Sequence, residues 1–211
     1  MSKKYVIANW KMKMGKDEIK TWLEKYEAPE TSVKVIIAPS FPDLGLVQNF
    51  ACAAQDVSTE EKGSHTGDVG IFQIKDFCNY CIVGHSERKE DKETVLEKRD
   101  LCLENGVTPI VCFVDPKKAE KYYKEGVILA WEDSGNISED GIYKPIDPKE
   151  IKGIIYDIRE RLPEGVSVLY GGSVNRQNVQ NLVNIADADG FLVGNASLDP
   201  EHFTEIIKAF K

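Results

Sequence analysis

Short β-branched runs alternate with longer amphipathic stretches eight times along the 211 residues, and this alternation restricts the possible folds more than any other feature. The expected strands are residues 5–8, 33–38, 51–55, 80–83, 108–113, 127–131, 166–170 and 190–193. Several are apolar throughout, the pattern of parallel strands covered on both faces. Between them, residues 16–26 place Ile19, Trp22, Leu23 and Tyr26 at helical spacing. Residues 149–162 do the same with Ile151, Ile154, Ile155 and Ile158, and residues 201–210 with Phe203, Ile206, Ile207 and Phe210. Two connections, after the second and fifth strands, are too short for a full helix. The pattern predicts an α/β fold, a compact (β/α)8 barrel formed by one domain over residues 1–211, with an open doubly wound sheet as the alternative. A length of 211 residues lies near the lower end, about 200, for such barrels.

In a parallel barrel the chemistry collects where the strands end, on the C-terminal rim. Polar residues stand at several of these ends. Asn9 and Lys11 follow the first strand, His85 and Glu87 the fourth, and Glu132 the sixth. Gly171, Gly172 and Ser173 follow the seventh, and Gly194 and Asn195 the eighth. Glu132 follows the apolar run ending at Trp131, where burial would raise its proton affinity toward that of a general base. A solvated loop acid beside Asp133 is the plainer reading. His85 opens a helix-like Ser86-Glu87-Arg88; backbone N–H groups there disfavour imidazolium, so a neutral ring could hydrogen-bond a carbonyl oxygen. A packed or capping histidine is the alternative. Lys11 could stabilise an anion in the barrel mouth, although most lysines only decorate surfaces. The small-residue turns after the last two strands would let backbone N–H groups approach a phosphate.

The remaining bulk properties narrow the partners. A formal charge of −8 argues against nucleic acid and anionic membranes, which call for a basic surface. It also means that a phosphorylated substrate must be met by local cations and backbone dipoles. No apolar run approaches the ~18–20 residues of a membrane span, and the N-terminal residues lack a signal-type apolar region. Five scattered cysteines suit buried thiols in a reducing compartment. Cys78 and Cys81 have the spacing of a redox motif but open a strand, which favours a structural role. A cytoplasmic location is expected.

The segments Asn9-Trp10-Lys11-Met12, Ala54-Gln55-Asp56-Val57, Thr66-Gly67-Asp68, Gly84-His85-Ser86-Glu87-Arg88, Tyr170-Gly171-Gly172-Ser173-Val174 and Gly190-Phe191-Leu192-Val193-Gly194 together resemble the triosephosphate isomerase family. They occur in the family's order and span nearly the whole chain. The resemblance implies a TIM barrel that interconverts D-glyceraldehyde 3-phosphate and dihydroxyacetone phosphate through an enediolate, without cofactor or metal. It also implies a homo-oligomer, a dimer or a tetramer, in which residues 60–70 insert beside a neighbouring subunit's site. Glu132 would abstract the proton next to the carbonyl. Neutral His85 would move protons between the substrate oxygens, the family's known pairing of a Glu base with a neutral His. Lys11, with Asn9 beside it, would stabilise the enediolate, and Glu87 would position the site. Gly171, Gly172, Ser173, Gly194 and the Asn195 backbone would hold the phosphate.

Three departures accompany the resemblance. After Glu132 the family has a Pro and a closing lid with an Ile-Gly-Thr-Gly tip, whereas this chain continues Asp133-Ser134-Gly135-Asn136-Ile137-Ser138-Glu139-Asp140-Gly141. A lid excludes water and protects the intermediate. Two alternatives therefore accompany the isomerase: a non-catalytic phosphate-binding barrel, and an isomerase of a different, longer sugar phosphate. Asn195 replaces the second Gly of the last phosphate turn and would tolerate a left-handed backbone there. The short segment 115–126 is similar to compact archaeal-type members.

Overall fold

A computed structural model describes residues 3–133 and 146–210. Eight parallel strands close into a barrel in sequence order: β1 (Tyr5–Asn9), β2 (Lys34–Ala38), β3 (Ala51–Ala54), β4 (Tyr80–Val83), β5 (Thr108–Phe113), β6 (Ile128–Trp131), β7 (Val168–Tyr170) and β8 (Gly190–Val193). The closed order excludes the open sheet. β1 pairs with both β2 and β8, with Ile7 opposite Ile36 and Leu192. The expected strands match to within one or two residues. The largest trimming is at β7, where residues 166–167 precede the ladder.

Seven helices are described: α1 (Lys16–Lys25), α2 (Ile71–Ile74), α3 (Lys92–Glu104), α4 (Ala119–Tyr122), α5 (Pro148–Arg159), α6 (Val179–Ile185) and α7 (Pro200–Lys208). The second and fifth connections are short, as expected. A six-residue 3-10 segment (Phe41–Leu46) follows β2, and a 3-10 turn with the one-turn α4 follows β5. The third connection is also thin, since α2 is a single turn. The compactness comes from economising on helices while keeping the strands.

Strand alternation separates two apolar layers. Ile7, Ile36, Ala53, Ile82, Ile110, Ile128, Leu169 and Leu192 point inward and fill the barrel. The alternate residues, among them Val6, Ile37, Val83, Val111, Leu129 and Phe191, face the helices. Each fully buried aliphatic side chain contributes roughly 1.5–3 kcal/mol, so the filled interior makes the rim a stiff platform. α5 shows how the outer layer is held: Asp147 caps it by accepting the Lys149 N–H, and Ile151, Ile155 and Ile158 bury one stripe.

Candidate active site

Asn9, Lys11, His85, Glu132, Gly171, Gly172 and Gly194 line one crevice together with Leu192, whereas Glu87, Ser173 and Asn195 are not part of its lining. His85 follows β4 through Gly84, whose φ of +73° and lack of a side chain are both required. A Cβ there would lie 2.8 Å from Val95 Cγ1 and 2.9 Å from the Cys112 carbonyl oxygen. After His85 comes a short 3-10 turn, Ser86–Arg88, in place of the start of a longer helix. The Glu87 N–H donates to His85 Nδ1 at 3.2 Å. An accepting Nδ1 puts the ring's proton on Nε2, which lies 3.1 Å from Glu132 Oε1. Burial, with the Lys11 and Arg88 charges assisting and Glu87 opposing, pushes the His85 pKa down to about 4. The imidazole is therefore neutral at pH 7.

Glu132 is 1% exposed, so the solvated-acid reading does not hold. Burial raises its pKa to about 7, opposed by hydrogen bonds from Ser86 and by the Lys11 charge. Ser86 holds the carboxylate at two points, its N–H at 2.8 Å from Oε2 and its hydroxyl at 3.3 Å from Oε1. The buried Cys112 thiol of β5 feels the same carboxylate, which with burial pushes that thiol's pKa up. The Trp131 indole N–H donates to the Val114 carbonyl at 3.0 Å and ties the end of β6 to that of β5.

Lys11 has φ +52°, a left-handed backbone uncommon for a residue with a side chain. Neighbours over-determine that conformation. Its N–H donates to Asn9 Oδ1 at 3.1 Å, and Gln55 Nε2 donates to its carbonyl at 3.0 Å and to the Ala38 carbonyl at 2.9 Å. The ammonium meets Glu87 at 2.5 Å, and a Cβ on Gly194 would be only 3.9 Å from it. Lys11 thus reaches across the mouth to Glu87 after β4 while lying beside the turn after the neighbouring β8.

The turns after β7 and β8 differ in what they leave free. The Gly171 N–H is engaged by the Trp131 carbonyl at 2.8 Å, so Gly171 contributes space and not a donor. A Cβ on it would sit 3.1 Å from Glu132 Cγ. A Cβ on Gly172 would overlap the Tyr170 hydroxyl at 2.0 Å. Ser173 is buried, and its carbonyl accepts from Asn178 Nδ2 at 2.8 Å. After β8, Gly194 leads into a 3-10 turn, Asn195–Ser197. The left-handed backbone expected at Asn195 is absent: the non-glycine residues with positive φ among those described are Lys11, Lys89 and Asp187. A 3-10 start has ordinary negative φ, so Asn fits without special tolerance.

A sequence model described as triosephosphate isomerase matches residues 4–210. The chain belongs to the triosephosphate isomerase family. A relative named triosephosphate isomerase from Mycobacterium bovis is 34% identical, with 98% of this chain and 96% of the relative covered. Relatives of the same name from Endomicrobium trichonymphae and Thermus thermophilus are 32% and 30% identical, covering 100% of both chains and 99% of both chains respectively. These alignments extend over 250 or 251 positions against a chain of 211 residues, so the relatives carry segments that this family member lacks.

The residues at the strand ends are visible in the sequence, but their supports are not. Ser86 lies within the Gly84–Arg88 motif with no role apparent from sequence, and Leu192 has the character of a core residue. Cys112 looked like one more buried thiol; its inward position on β5, one residue before the strand end, was the available signal. The altered segment 134–141 after Glu132 lies outside the described residues.

Proposed function

We propose that this family member interconverts D-glyceraldehyde 3-phosphate and dihydroxyacetone phosphate by proton transfer through an enediolate. The observation that carries the reading is the contact of a buried Glu132 carboxyl, raised to about 7, with the Nε2–H of a neutral His85. A base with a pKa near the working pH combines adequate ionisation with adequate driving force. Glu132 takes the proton from the carbon next to the carbonyl, and the electron pair moves to the carbonyl oxygen. The His85 Nε2–H meets that oxygen and passes a proton between the two substrate oxygens. Glu132 then returns its proton to the neighbouring carbon. Lys11 stabilises the negative charge that develops, and Asn9 and Glu87 hold Lys11 in place. Gly172, Ser173, Gly194 and the Asn195 backbone take the phosphate, while Gly171 leaves room for the base. Substrate must draw Glu132 from its bonds to Ser86, so the described arrangement is a resting one.

Glu132→Gln keeps the shape and removes the base. In a coupled assay of glyceraldehyde 3-phosphate isomerisation its kcat should fall by about 10³, within the 10²–10⁴ typical of general base catalysis. Equal rates for the native protein and the variant would sink the assignment.

We also read the chain as one domain that assembles as a homo-oligomer. The segment 60–70, exposed over residues 60–68, and Met12, 97% exposed, support that assembly. Five buried free cysteines support a reducing, cytoplasmic setting. Among the described residues no helix is long and apolar enough to cross a membrane.

A further inference from the structure

We propose that His202 is a positioning residue that ties the two phosphate-binding turns to each other, and that it does so only as the neutral imidazole. The inference rests on the phosphate site proposed above. Between Ser173 and α6 the chain makes a turn held largely from within. Asn175 Oδ1 accepts the N–H groups of Gln177 and Asn178 at 2.9 and 3.1 Å, and Asn178 Oδ1 accepts that of Asn175 at 2.8 Å. One hydrogen bond leaves this turn for α7, from the Arg176 N–H to His202 Nε2 at 2.8 Å, beside a loose, exposed ion pair of the Arg176 guanidinium with Glu205 at 3.8 Å.

The other end of the link is equally well anchored. Asp199 caps α7 by accepting the His202 N–H at 2.7 Å. Asp199 lies directly beyond the turn after β8, which is closed by Ser197 N–H to the Gly194 carbonyl at 2.9 Å and Leu198 N–H to the Asn195 carbonyl at 3.2 Å. A single imidazole, 9% exposed, thereby connects the turn carrying Gly172 and Ser173 to the helix seeded by Gly194 and Asn195. Two turns that must grip one phosphate need a constant separation, because a misplacement of about 1 Å is costly.

The link is sensitive to protonation by geometry alone. Nε2 accepts, so the proton sits on Nδ1; a second proton would set an N–H donor against the Arg176 N–H. The charged groups facing the ring are Arg176 from the turn, and Asp199 and Glu205 from α7, with Arg176 and Glu205 3.8 Å apart. Burial and Arg176 hold the ring's pKa below the ordinary 6.5, against the two carboxylates. Phosphate affinity should therefore survive at neutral pH and weaken in acid.

The test compares the native protein with H202Q, whose amide oxygen can still accept but does not titrate, and H202L, which has no acceptor. At pH 7.5, H202Q should keep KM within about twofold, while H202L should raise it about tenfold with little change in kcat, the scale of one buried hydrogen bond. Between pH 7.5 and 5.5 the native KM should rise more steeply than that of H202Q. Substrate ionisation and Glu132 are common to both curves. Binding of inorganic phosphate, followed by calorimetry, should show the same order. An unchanged KM in H202L, or acid limbs that coincide for native and H202Q, would overturn the proposal. If H202L does not fold, the native and H202Q curves decide alone. Isomerase activity with an indifferent His202 removes this inference only. Phosphate binding that depends on His202 in a chain without turnover removes the catalytic reading and leaves the link.

Discussion

On one side of the barrel mouth, Glu132 and His85 are buried side chains delivered by the ends of β6 and β4 and bonded to each other. On the other side, the turns after β7 and β8 offer mainly backbone and empty space, with Gly172 kept bare by the Tyr170 hydroxyl. The acid–base half gains its reactivity from desolvation, which pushes Glu132 up and His85 down and so brings the two proton affinities to opposite sides of their ordinary order. The phosphate half can avoid that cost, because peptide dipoles carry no net charge to desolvate. Substitutions should therefore act mainly on kcat in the first half and mainly on KM in the second.

Lys11 touches both halves, and removing it is the largest test left after Glu132. Lys11→Met should lower kcat/KM by about 10²–10³, through kcat and KM together. A loss confined to KM would mean that the ammonium serves the phosphate half alone. The adjacent glycines sharpen the division further. Gly171→Ala pushes on Glu132 and should cut kcat several-fold, while Gly172→Ala displaces the Tyr170 hydroxyl and should raise KM. Identical kinetic signatures for the two would show that the halves are not separable.

The pH profile of the free enzyme should fall tenfold per unit below about 7, where Glu132 gains its proton, and not below the ordinary carboxylate value of 4.5. The same shift has a consequence for stability. A raised folded pKa contributes stability that is present below 4.5 and lost as pH rises through about 7. Glu132→Gln abolishes that loss, so its unfolding free energy, measured by denaturant titration, should gain on that of the native protein between pH 4.5 and 8, by ~3 kcal/mol at most. A constant difference across this range would contradict the buried-acid account. The smallest effect is expected from Ser86→Ala, which removes the 3.3 Å hydroxyl contact but keeps the backbone bond. The acid limb should move upward by a few tenths of a pH unit, about what one weak hydrogen bond supplies.

Legibility from the sequence was uneven, for physical reasons. Parallel strands are apolar on both faces, so β1, β2 and β5 stood out as runs. α3 was not picked out individually because its buried face includes Lys98 and Arg99. Lys98 is taken in by Glu90, just ahead of the helix, and by Asp56, 2.8 Å away, a partner too distant in the chain for any helical period to announce. α2 is a single turn, and β4 begins six residues after it ends. In the site, position on the rim followed from strand ends, but occupation of hydrogen bonds did not. The Gly171 N–H was expected to be available and is consumed by the β6–β7 ladder, and Asn195 needs no left-handed backbone.

The sequence by itself determined the eight-fold alternation, the rim residues and the motifs that mark the family, because periodicity and short-range spacing are local properties. Closure of the barrel decided the rest. It brought Ser86 and Cys112 to Glu132, seated Lys11 between Asn9 and Gln55, and set His202 of the last helix against Arg176. Apart from the local Lys11–Asn9 bond, these contacts join residues well separated in the chain, and the proton affinities of Glu132 and His85 depend on how completely they exclude water. Burial is a property of the folded whole, so the identity of the base could be read from the chain but its strength could not.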